Sequence, residues 1–314
     1  MAQKVVVVTG PTATGKTKLG VALARALNGE VVGADAMQIY QHMDIGTAKP
    51  TLEEMQGIPH HMVDMVSPFE QYSVSRYVEE AGRCVDDILS RGKLPILVGG
   101  TGLYIESLLS GRDFAPNGGD DRLRGALSAQ YDEVGGAAML EELKTFDPES
   151  GAKLHANDKK RIVRAFEVYR LSGKTITRHN LETQSLPPRY DACKIALSFE
   201  NRQDLYDRID RRVDLMVQAG LENEVDRLLE MGIPAECTAL QAIGYKELIR
   251  YKRGEWDFTA AVDAVKRESR RYAKRQISWL RRDPEVQWLL WKKEPDFDMG
   301  LRISTRFLEN SGIL

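Results

Sequence analysis

A glycine-bounded loop lies directly after the first apolar run of this chain and limits the folds that the chain can adopt. Residues 5–8 are four consecutive valines, a pattern typical of a strand buried on both faces of a parallel sheet. The next eight residues match the pattern G-x-x-x-x-G-K-[ST] at every defined position: Gly10, Pro11, Thr12, Ala13, Thr14, Gly15, Lys16 and Thr17. Apolar residues at helical spacing follow up to residue 27. Strand, loop and helix in this order predict a loop that binds a chain of phosphates.

The chemistry of phosphate binding explains each residue type in the loop. Glycines let the backbone wrap closely around an oxyanion, and its N–H groups and the following helix N-terminus point at the phosphates. Lys16 neutralises charge on the terminal phosphates, and the Thr17 hydroxyl can ligate Mg²⁺, which is therefore the expected cofactor. The motif specifies a phosphate chain but not a reaction.

The apolar strand predicted at residues 94–98 argues against a nucleotide hydrolase. Such enzymes usually end this strand with an Asp that holds Mg²⁺, whereas residues 94–98 are followed by Gly99, Gly100 and Thr101. This departure favours an enzyme in which a diphosphate is the leaving group, or in which the phosphoryl acceptor is small.

The remaining pattern predicts an α/β fold with a helical insertion. Strand patterns at residues 30–34, 61–66 and 94–98 alternate with helices, which predicts a P-loop-containing parallel sheet flanked by helices. Residues 115–119 are rich in Pro and Gly, and only helical patterns follow to about residue 185. A strand at 195–199 returns to the sheet, and later patterns are helices and one strand: 204–219, 221–231, 240–253, 258–282 and 286–290. We therefore predict a core of residues 1–114 and 190–314, and an insertion of residues 115–189.

Composition and charge narrow the class of protein. The net charge of −2 means that a nucleic-acid surface must be a local patch. Three widely spaced cysteines favour a reducing compartment over a disulfide framework or a zinc site. No apolar run is long enough for a membrane span or a signal-peptide core. We expect a cytoplasmic protein without a membrane partner, and a monomer because no interface signal is evident.

Asp35 directly follows the strand predicted at residues 30–34. It should lie at the carboxyl edge of the sheet, where the phosphate loop opens and ligands bind. A carboxylate repels phosphate, but it can accept a proton from an incoming nucleophile. The ordinary alternative is a helix N-cap or turn role, and position alone leaves both open.

Several further blocks along the chain resemble a known family. Besides the phosphate loop they read GADAMQIY at 33–40, MDIGTAKP at 43–50, PHH at 59–61 and GGTGLY at 99–104. Later blocks are NDKKR from 157, with Glu167 beyond it, QAIGY at 241–245 and KRQISWLR at 274–281. In their order and in their amino-acid sequence they resemble tRNA dimethylallyltransferases, also called tRNA isopentenyltransferases, over essentially the whole chain. Two positions depart from the family, which usually has Ser where this chain has Gly33 and Ala36.

This resemblance implies a reaction and roles for the site residues. The dimethylallyl group of dimethylallyl diphosphate would pass to N6 of adenosine 37, the base 3′ of the anticodon in tRNA, and pyrophosphate would leave. Asp35 would bind the N6 amine and act as general base. Lys16, Thr17, the loop amides and Thr101 would hold the diphosphate, and Arg208 and Arg212 would face it. The catalytic set is then Asp35, Thr101 and Lys16.

The expected tRNA contacts combine blocks of the resemblance with two basic clusters. Residues 266–282 contain Lys266, Arg267, Arg270, Arg271, Lys274, Arg275, Arg281 and Arg282, opposed there by Glu268 alone. This asymmetry fits RNA backbone contact. The second cluster, which consists of Lys159, Lys160, Arg161 and Arg164, lies in the insertion. The two clusters together would form a clamp on the anticodon stem-loop. The expected residues are Asp35, Ala36, Met37, Gln38, Thr101, Arg124, Asp158, Lys159, Lys160, Arg161, Arg164, Gln241, Ala242, Ile243, Gly244, Tyr245, Lys274, Arg275, Gln276, Trp279 and Arg281.

Ordinary alternatives stay open for these charges and for the function. Either basic cluster could be a solvated helix face paired to acids elsewhere. Arg208 and Arg212 share a helix face and could pair with Asp204, Asp207 or Asp210 instead of binding diphosphate. The competing functions are a P-loop small-molecule kinase, a prenyltransferase acting on free adenine nucleotides, and a nucleotide-gated RNA-binding protein without chemistry.

Overall fold

A computed structural model describes residues 3–111, 121–184 and 187–314. The chain divides into two compact units, one of Met1–Leu109 with Arg189–Leu314 and one of Ser110–Pro188. Across the described ranges, no helix is long and apolar enough to cross a membrane. The predicted boundary at 115–119, and residues 185–186 at the end of the predicted helical stretch, lie outside the described residues.

The described part of the first unit is built on a parallel sheet. Its six strands are β1 (Lys4–Thr9), β2 (Gly29–Gly33), β3 (His60–His61), β4 (Leu94–Val98), β5 (Asp191–Phe199) and β6 (Gln287–Trp291). Their order across the sheet is β3-β2-β4-β1-β5-β6, and every pairing is parallel. The valines of β1 are fully buried because neighbouring strands and helices cover both their edges and their faces. The predicted fold class is confirmed.

Helices account for most of the remaining described residues. In chain order they are α1 (Lys16–Ala26), α2 (Leu52–Met55), α3 (Val74–Ser90), α4 (Gly102–Leu109), α5 (Asp121–Val134), α6 (Gly136–Phe146), α7 (Pro148–Lys153), α8 (Lys159–Ser172), α9 (Ile176–Gln184), α10 (Arg202–Gln218), α11 (Leu221–Glu230), α12 (Tyr245–Lys252), α13 (Phe258–Leu280) and α14 (Phe297–Asn310). Helices α5 to α9 belong to the second unit, which has its own core around Leu143 and Phe166.

Two of the apolar cores in the described part of the first unit position the site. The larger one packs α1, α10 and α14 against the sheet, with Leu19, Ile195 and Trp291 at its centre. The other packs the segment after β2 against α11 and α12, where Tyr40 and Tyr245 are almost completely buried. Burying a large side chain contributes roughly 1.5–3 kcal/mol, so this second core holds the irregular segment firmly beside the helices.

Three local patterns differ from the sequence prediction. The strand predicted at 61–66 ends after His61 because Met62 and Asp64 have φ values of 61° and 58°, which a strand cannot contain. The helix predicted at 240–253 is a short 3₁₀ turn and α12, separated at Gly244 with φ 102°. The sequence pattern does not identify helix α14 as a separate helix.

Candidate active site

The phosphate loop is held in shape by contacts below it. Gly10 and Gly15 have φ values of 132° and 85°, in the region that favours glycine. A Cβ atom at Gly10 would lie 2.3 Å from the carbonyl oxygen of Leu197, so only glycine fits against β5. The Thr14 hydroxyl donates to the Pro11 carbonyl at 2.8 Å. These contacts define the loop conformation before any ligand binds.

Trp291 also holds the loop, a role that the sequence did not indicate. Its indole N–H donates to the Thr14 carbonyl at 2.9 Å from the end of β6. The backbone amides of Ala13, Thr14 and Gly15 form no hydrogen bond with the described parts of the chain. Free amides beside a helix N-terminus form an anion-binding cup.

A cavity of about 670 Å³ opens beside this cup, at the carboxyl ends of β1, β2 and β4. It brings together most of the residues predicted for the site. They are Thr12, Ala13, Gly15, Lys16, Thr17, Asp35, Ala36, Met37, Gln38, Thr101, Arg212, Gln241, Ala242, Ile243, Gly244, Arg275 and Gln276. The break before α12 explains why residues 241–244 line the cavity while Tyr245 does not.

Two cations meet at the phosphate end of the cavity. The Lys16 ammonium donates to the Pro11 carbonyl at 2.8 Å. Burial and the charge of Arg212 lower the pKa of Lys16 to about 8, although Asp35 partly opposes this shift. Burial likewise lowers the pKa of Arg212, which forms no hydrogen bond or ion pair with any described residue. A polyanion at this position would offset the mutual repulsion of these two cations.

Asp35 fulfils the turn role and still has one oxygen available. Its Oδ1 accepts hydrogen bonds from the amides of Met37 at 2.9 Å and Gln38 at 3.4 Å. Its Oδ2 has no hydrogen-bond partner in the described structure. The two interpretations of Asp35 are therefore compatible, because the turn fixes the carboxylate and leaves one oxygen for a ligand.

Thr101 connects this turn to the end of β4. Its hydroxyl oxygen accepts the Ala36 amide at 3.0 Å, and its own amide donates to Ala34 at 3.0 Å. The contact at Ala36 uses the backbone, so alanine preserves it in place of the usual serine. The Thr101 side chain also forms a hydrogen bond with the hydroxyl of Tyr272.

Helix α13 contributes a tyrosine that the sequence prediction missed. Tyr272 lines the cavity one helical turn before Gln276, and the Arg275 guanidinium lies 5.5 Å from its ring centroid. Burial, together with the charge of Asp35, raises the pKa of Tyr272 to about 12. The i, i+4 spacing with Gln276 was the available signal.

An apolar wall of the cavity was also missed. It consists of Ile209, Val213, Met216, Leu221 and Val265. Ile209, Val213 and Met216 lie at helical spacing around Arg212, so the periodicity of α10 was the available signal. The wall places apolar surface beside the cationic end of the cavity.

Arg208 lies outside the cavity. It forms an ion pair with Glu294 at 2.8 Å and approaches the Ala13 carbonyl at 3.4 Å. It therefore contacts the back of the phosphate loop. None of the aspartates considered from the sequence is its partner.

The basic residues of α13 and its end divide into two groups. Lys266, Arg267, Arg270 and Arg271 pair with acids on α10 or with Glu268. The other group is exposed and forms no ion pair in the ranges the structure describes: Lys274, Arg275, Arg281 and Arg282. The solvated-face interpretation thus fits the first group only.

The second unit shows a similar division. Lys159 pairs with Asp132 at 2.6 Å, and Arg124 and Arg164 both bind the buried Glu167. The Asp158 carboxylate accepts the His155 amide at 2.9 Å. Lys160 and Arg161 are exposed, without an ion pair inside the described ranges. They are the members of this cluster whose charges are available to a polyanion.

The other predicted residues outside the cavity have structural contacts or lie on the surface. Tyr245 is fully buried and donates its hydroxyl to Glu224 at 2.6 Å. The Trp279 ring packs against Gly102, where a Cβ atom would come within 2.5 Å. Gly10, Pro11 and Thr14 shape the loop, whereas Lys274 and Arg281 lie on the exposed surface.

Comparison with known proteins identifies the family. A family model described as IPP transferase matches residues 38–283. This chain belongs to the IPP transferase family. A second model, described as isopentenyl transferase, matches residues 3–66. The resemblance noted in the sequence is confirmed.

Individual proteins match this chain over most of their length. A tRNA dimethylallyltransferase of Acetivibrio thermocellus is 46% identical over 299 residues, which cover 95% of this chain and 94% of the relative. The crystal structure of a tRNA isopentenylpyrophosphate transferase from Bacillus halodurans is 40% identical, with a TM-score of 0.74 and coverage of 98% of this chain and 96% of that one. A eukaryotic dimethylallyltransferase acting on tRNA is 28% identical, with a TM-score of 0.83 and coverage of 98% and 80%.

Proposed function

We propose that this chain transfers the dimethylallyl group of dimethylallyl diphosphate to N6 of adenosine 37, next to the anticodon of tRNA, and releases pyrophosphate. The observation that carries the proposal is the content of one cavity. It combines an amide-lined cup, the cations Lys16 and Arg212, an apolar wall and the unpaired Oδ2 of Asp35. These groups match a diphosphate, a short prenyl chain and an amine nucleophile.

The diphosphate side of the site stabilises the leaving group. The C–O bond to the allylic carbon breaks, and its electron pair leaves with pyrophosphate, so negative charge grows on the oxygens. The preorganised donors for that charge are the free amides of Ala13 to Gly15, Lys16 and Arg212. The Thr101 hydroxyl would join them by exchanging its hydrogen bond with Tyr272 for one to a phosphate oxygen. Each such donor can contribute about 3–4 kcal/mol in an enclosed site.

The acceptor side activates a poor nucleophile. The N6 lone pair forms the new N–C bond, and N6 must then lose a proton. The Oδ2 atom of Asp35 can accept it, because the turn amides at Oδ1 fix the carboxylate. Holding the amine at this oxygen also positions it for attack. The base has to leave its stack to enter the cavity.

The site also suits Mg²⁺. The Thr17 hydroxyl lines the cavity and has no hydrogen bond within the described residues, so it is available as a hard oxygen ligand. Mg²⁺ commonly takes few protein ligands and completes its shell with phosphate oxygens and water. When bound, the ion would neutralise charge on the diphosphate.

We propose that the unpaired basic residues hold the tRNA. Reversing Lys274 and Arg275 to Glu should weaken tRNA binding and flatten its salt dependence, because fewer counterions are released. The slope of log K against log salt should fall by about one to two. Filter binding across a salt series measures it. Arg271→Glu is the matched control, since Arg271 already pairs with Glu268; an equal effect there would contradict the assignment.

The insertion is proposed as the second half of the tRNA clamp, through Lys160 and Arg161. We further propose that the protein works as a monomer in the cytoplasm. The cysteines of the described chain are all free, which fits a reducing compartment.

Protonation of Lys16 should make donor capture dependent on pH. In the free enzyme its pKa is about 8, so the ammonium is lost as pH rises through that value and attraction for the diphosphate falls. We expect kcat/KM for dimethylallyl diphosphate to decline above about pH 8. A bound polyanion raises the pKa of Lys16, so kcat at saturating donor should stay level to higher pH. In Lys16→Arg, where the guanidinium stays charged, the decline should disappear; a decline that persists would contradict this origin.

The function itself is tested with tRNA lacking the modification and labelled dimethylallyl diphosphate, without ATP. Label in the tRNA, located at N6 of adenosine 37 by nuclease digestion and mass spectrometry, is the expected result. Parallel reactions contain AMP with the same donor, or ATP with small phosphoryl acceptors. Label in AMP but not in tRNA would favour the free-nucleotide enzyme. ATP-dependent phosphoryl transfer without label in tRNA would favour the kinase.

A further inference from the structure

Glu224 is a buried carboxylate that binds one loop of backbone. It lies on α11 and is 1% exposed. Its Oε2 accepts the amides of Asp44 at 2.9 Å and Ile45 at 2.8 Å, and its Oε1 accepts the amide of Gly46 at 3.0 Å. Three consecutive N–H groups therefore converge on one side chain about 180 positions away in sequence.

The surroundings make this arrangement specific. No described Lys, Arg or His forms an ion pair with Glu224, which accepts a further hydrogen bond from the Tyr245 hydroxyl at 2.6 Å. A buried charge without a counterion costs several kcal/mol unless hydrogen bonds replace its water. A Cβ atom at Gly46 would lie 2.5 Å from the Tyr245 ring, so only glycine at this position lets the loop come this close to the ring. The carboxylate thus fixes where the loop lies.

The loop held by Glu224 forms one wall of the cavity. Gly46, Thr47, Ala48 and Lys49 all line it. The Gln38 side-chain amide donates to the carbonyls of Thr47 and Ala48, each at 3.0 Å. Because the Gln38 backbone amide is also bound by Oδ1 of Asp35, a continuous set of hydrogen bonds runs from Glu224 through the loop to the turn that carries Asp35.

We propose that Glu224 is a positioning residue for prenyl transfer: through the loop at residues 44–48 and Gln38, it sets the position of Asp35 against the adenine amine. The proposal rests on the proposed function. The phosphate cup is held separately by Thr14 and Trp291. Glu224 should therefore affect the chemical step far more than donor binding.

The variant Glu224→Gln tests this assignment with almost no change in volume. Each carboxylate oxygen receives two donors, so either orientation of the new amide sets an NH₂ group against two of them, and the loop must shift. We expect kcat at saturating substrates to fall by about tenfold to a hundredfold, as for misplaced catalytic groups. The KM for dimethylallyl diphosphate should stay within about threefold.

Glu30→Gln is the control for a loss of folding stability that does not alter the active site. Glu30 is also buried and lies at the opposite end of β2, where it pairs with Arg91, Lys93 and His61. We expect a lower Tm with an unchanged kcat. If Glu224→Gln turns over at the rate of Glu30→Gln, the proposal is overturned, while transfer by the unmodified enzyme leaves the proposed function standing.

Tyr245→Phe keeps the test valid if Glu224→Gln does not fold. It removes one hydrogen bond from Oε1 and leaves the three amides bound. A loss of a few-fold in kcat with an unchanged donor KM supports the positioning role. Full activity of a Tyr245→Phe variant, measured beside a Glu224→Gln protein that does not fold, would reduce Glu224 to a stabilising residue.

Discussion

Replacing Asp35 by asparagine is expected to lower the rate of prenyl transfer by about a hundredfold or more, the usual range for loss of a general base. Asparagine retains an oxygen for the turn amides of Met37 and Gln38, which Oδ1 now accepts at 2.9 Å and 3.4 Å. It sets an NH₂ group in place of the unpaired Oδ2, and this group cannot take the N6 proton. Single-turnover transfer of labelled dimethylallyl groups measures the loss.

Comparison with Asp35→Ala separates the two roles of the carboxylate. Alanine removes the base and also the acceptor for the turn amides, so its thermal stability should fall below that of Asp35→Asn. Both variants should bind tRNA with about wild-type affinity, because the charged tRNA contacts lie elsewhere. Near-normal turnover of Asp35→Asn would remove Asp35 from catalysis.

Local patterns predicted much of the sheet because backbone preferences decide it. The four valines of β1 and the glycines of the phosphate loop specify a buried strand and a tight turn whatever lies beyond them. The break at Gly244 and the end of β3 depend on tertiary packing that overrides local periodicity. Sequence alone favoured a continuous helix in one place and a longer strand in the other.

The site was predictable where chemistry is encoded in short motifs, and not where distant residues meet. Lys16 and Thr17 follow from the phosphate loop itself. Trp291 and Glu224 act from elements far along the chain, on backbone atoms that carry no sequence signature. The charges of α13 look alike in sequence. The acids of the neighbouring α10, together with Glu268 on α13 itself, divide them into paired and free groups.

Helix α10 carries two arginines, one turn apart, that together test how the donor is bound. Arg212 lines the cavity without a partner in the described chain, whereas Arg208, one turn earlier, pairs with Glu294 outside it. Arg212→Met keeps a long apolar side chain and removes the charge. We expect kcat/KM for dimethylallyl diphosphate to fall about a hundredfold to a thousandfold, as when one preorganised donor to a developing anion is lost. Arg208→Met should cost less than about tenfold, because that side chain reaches only the back of the loop.

Arg212→Met should also change how kcat/KM for dimethylallyl diphosphate depends on pH, because the charge of Arg212 acts on Lys16. The charge of Arg212 helps to lower the pKa of Lys16 to about 8. Removing it should raise that pKa, so the decline in kcat/KM should begin at higher pH in Arg212→Met than in the unmodified enzyme. Steady-state rates over a pH series test both effects in one experiment, with Arg208→Met as the control whose decline stays in place. Equal losses of kcat/KM in the two variants, with no change in the pH at which kcat/KM begins to decline, would mean that the cavity does not bind the diphosphate at Arg212.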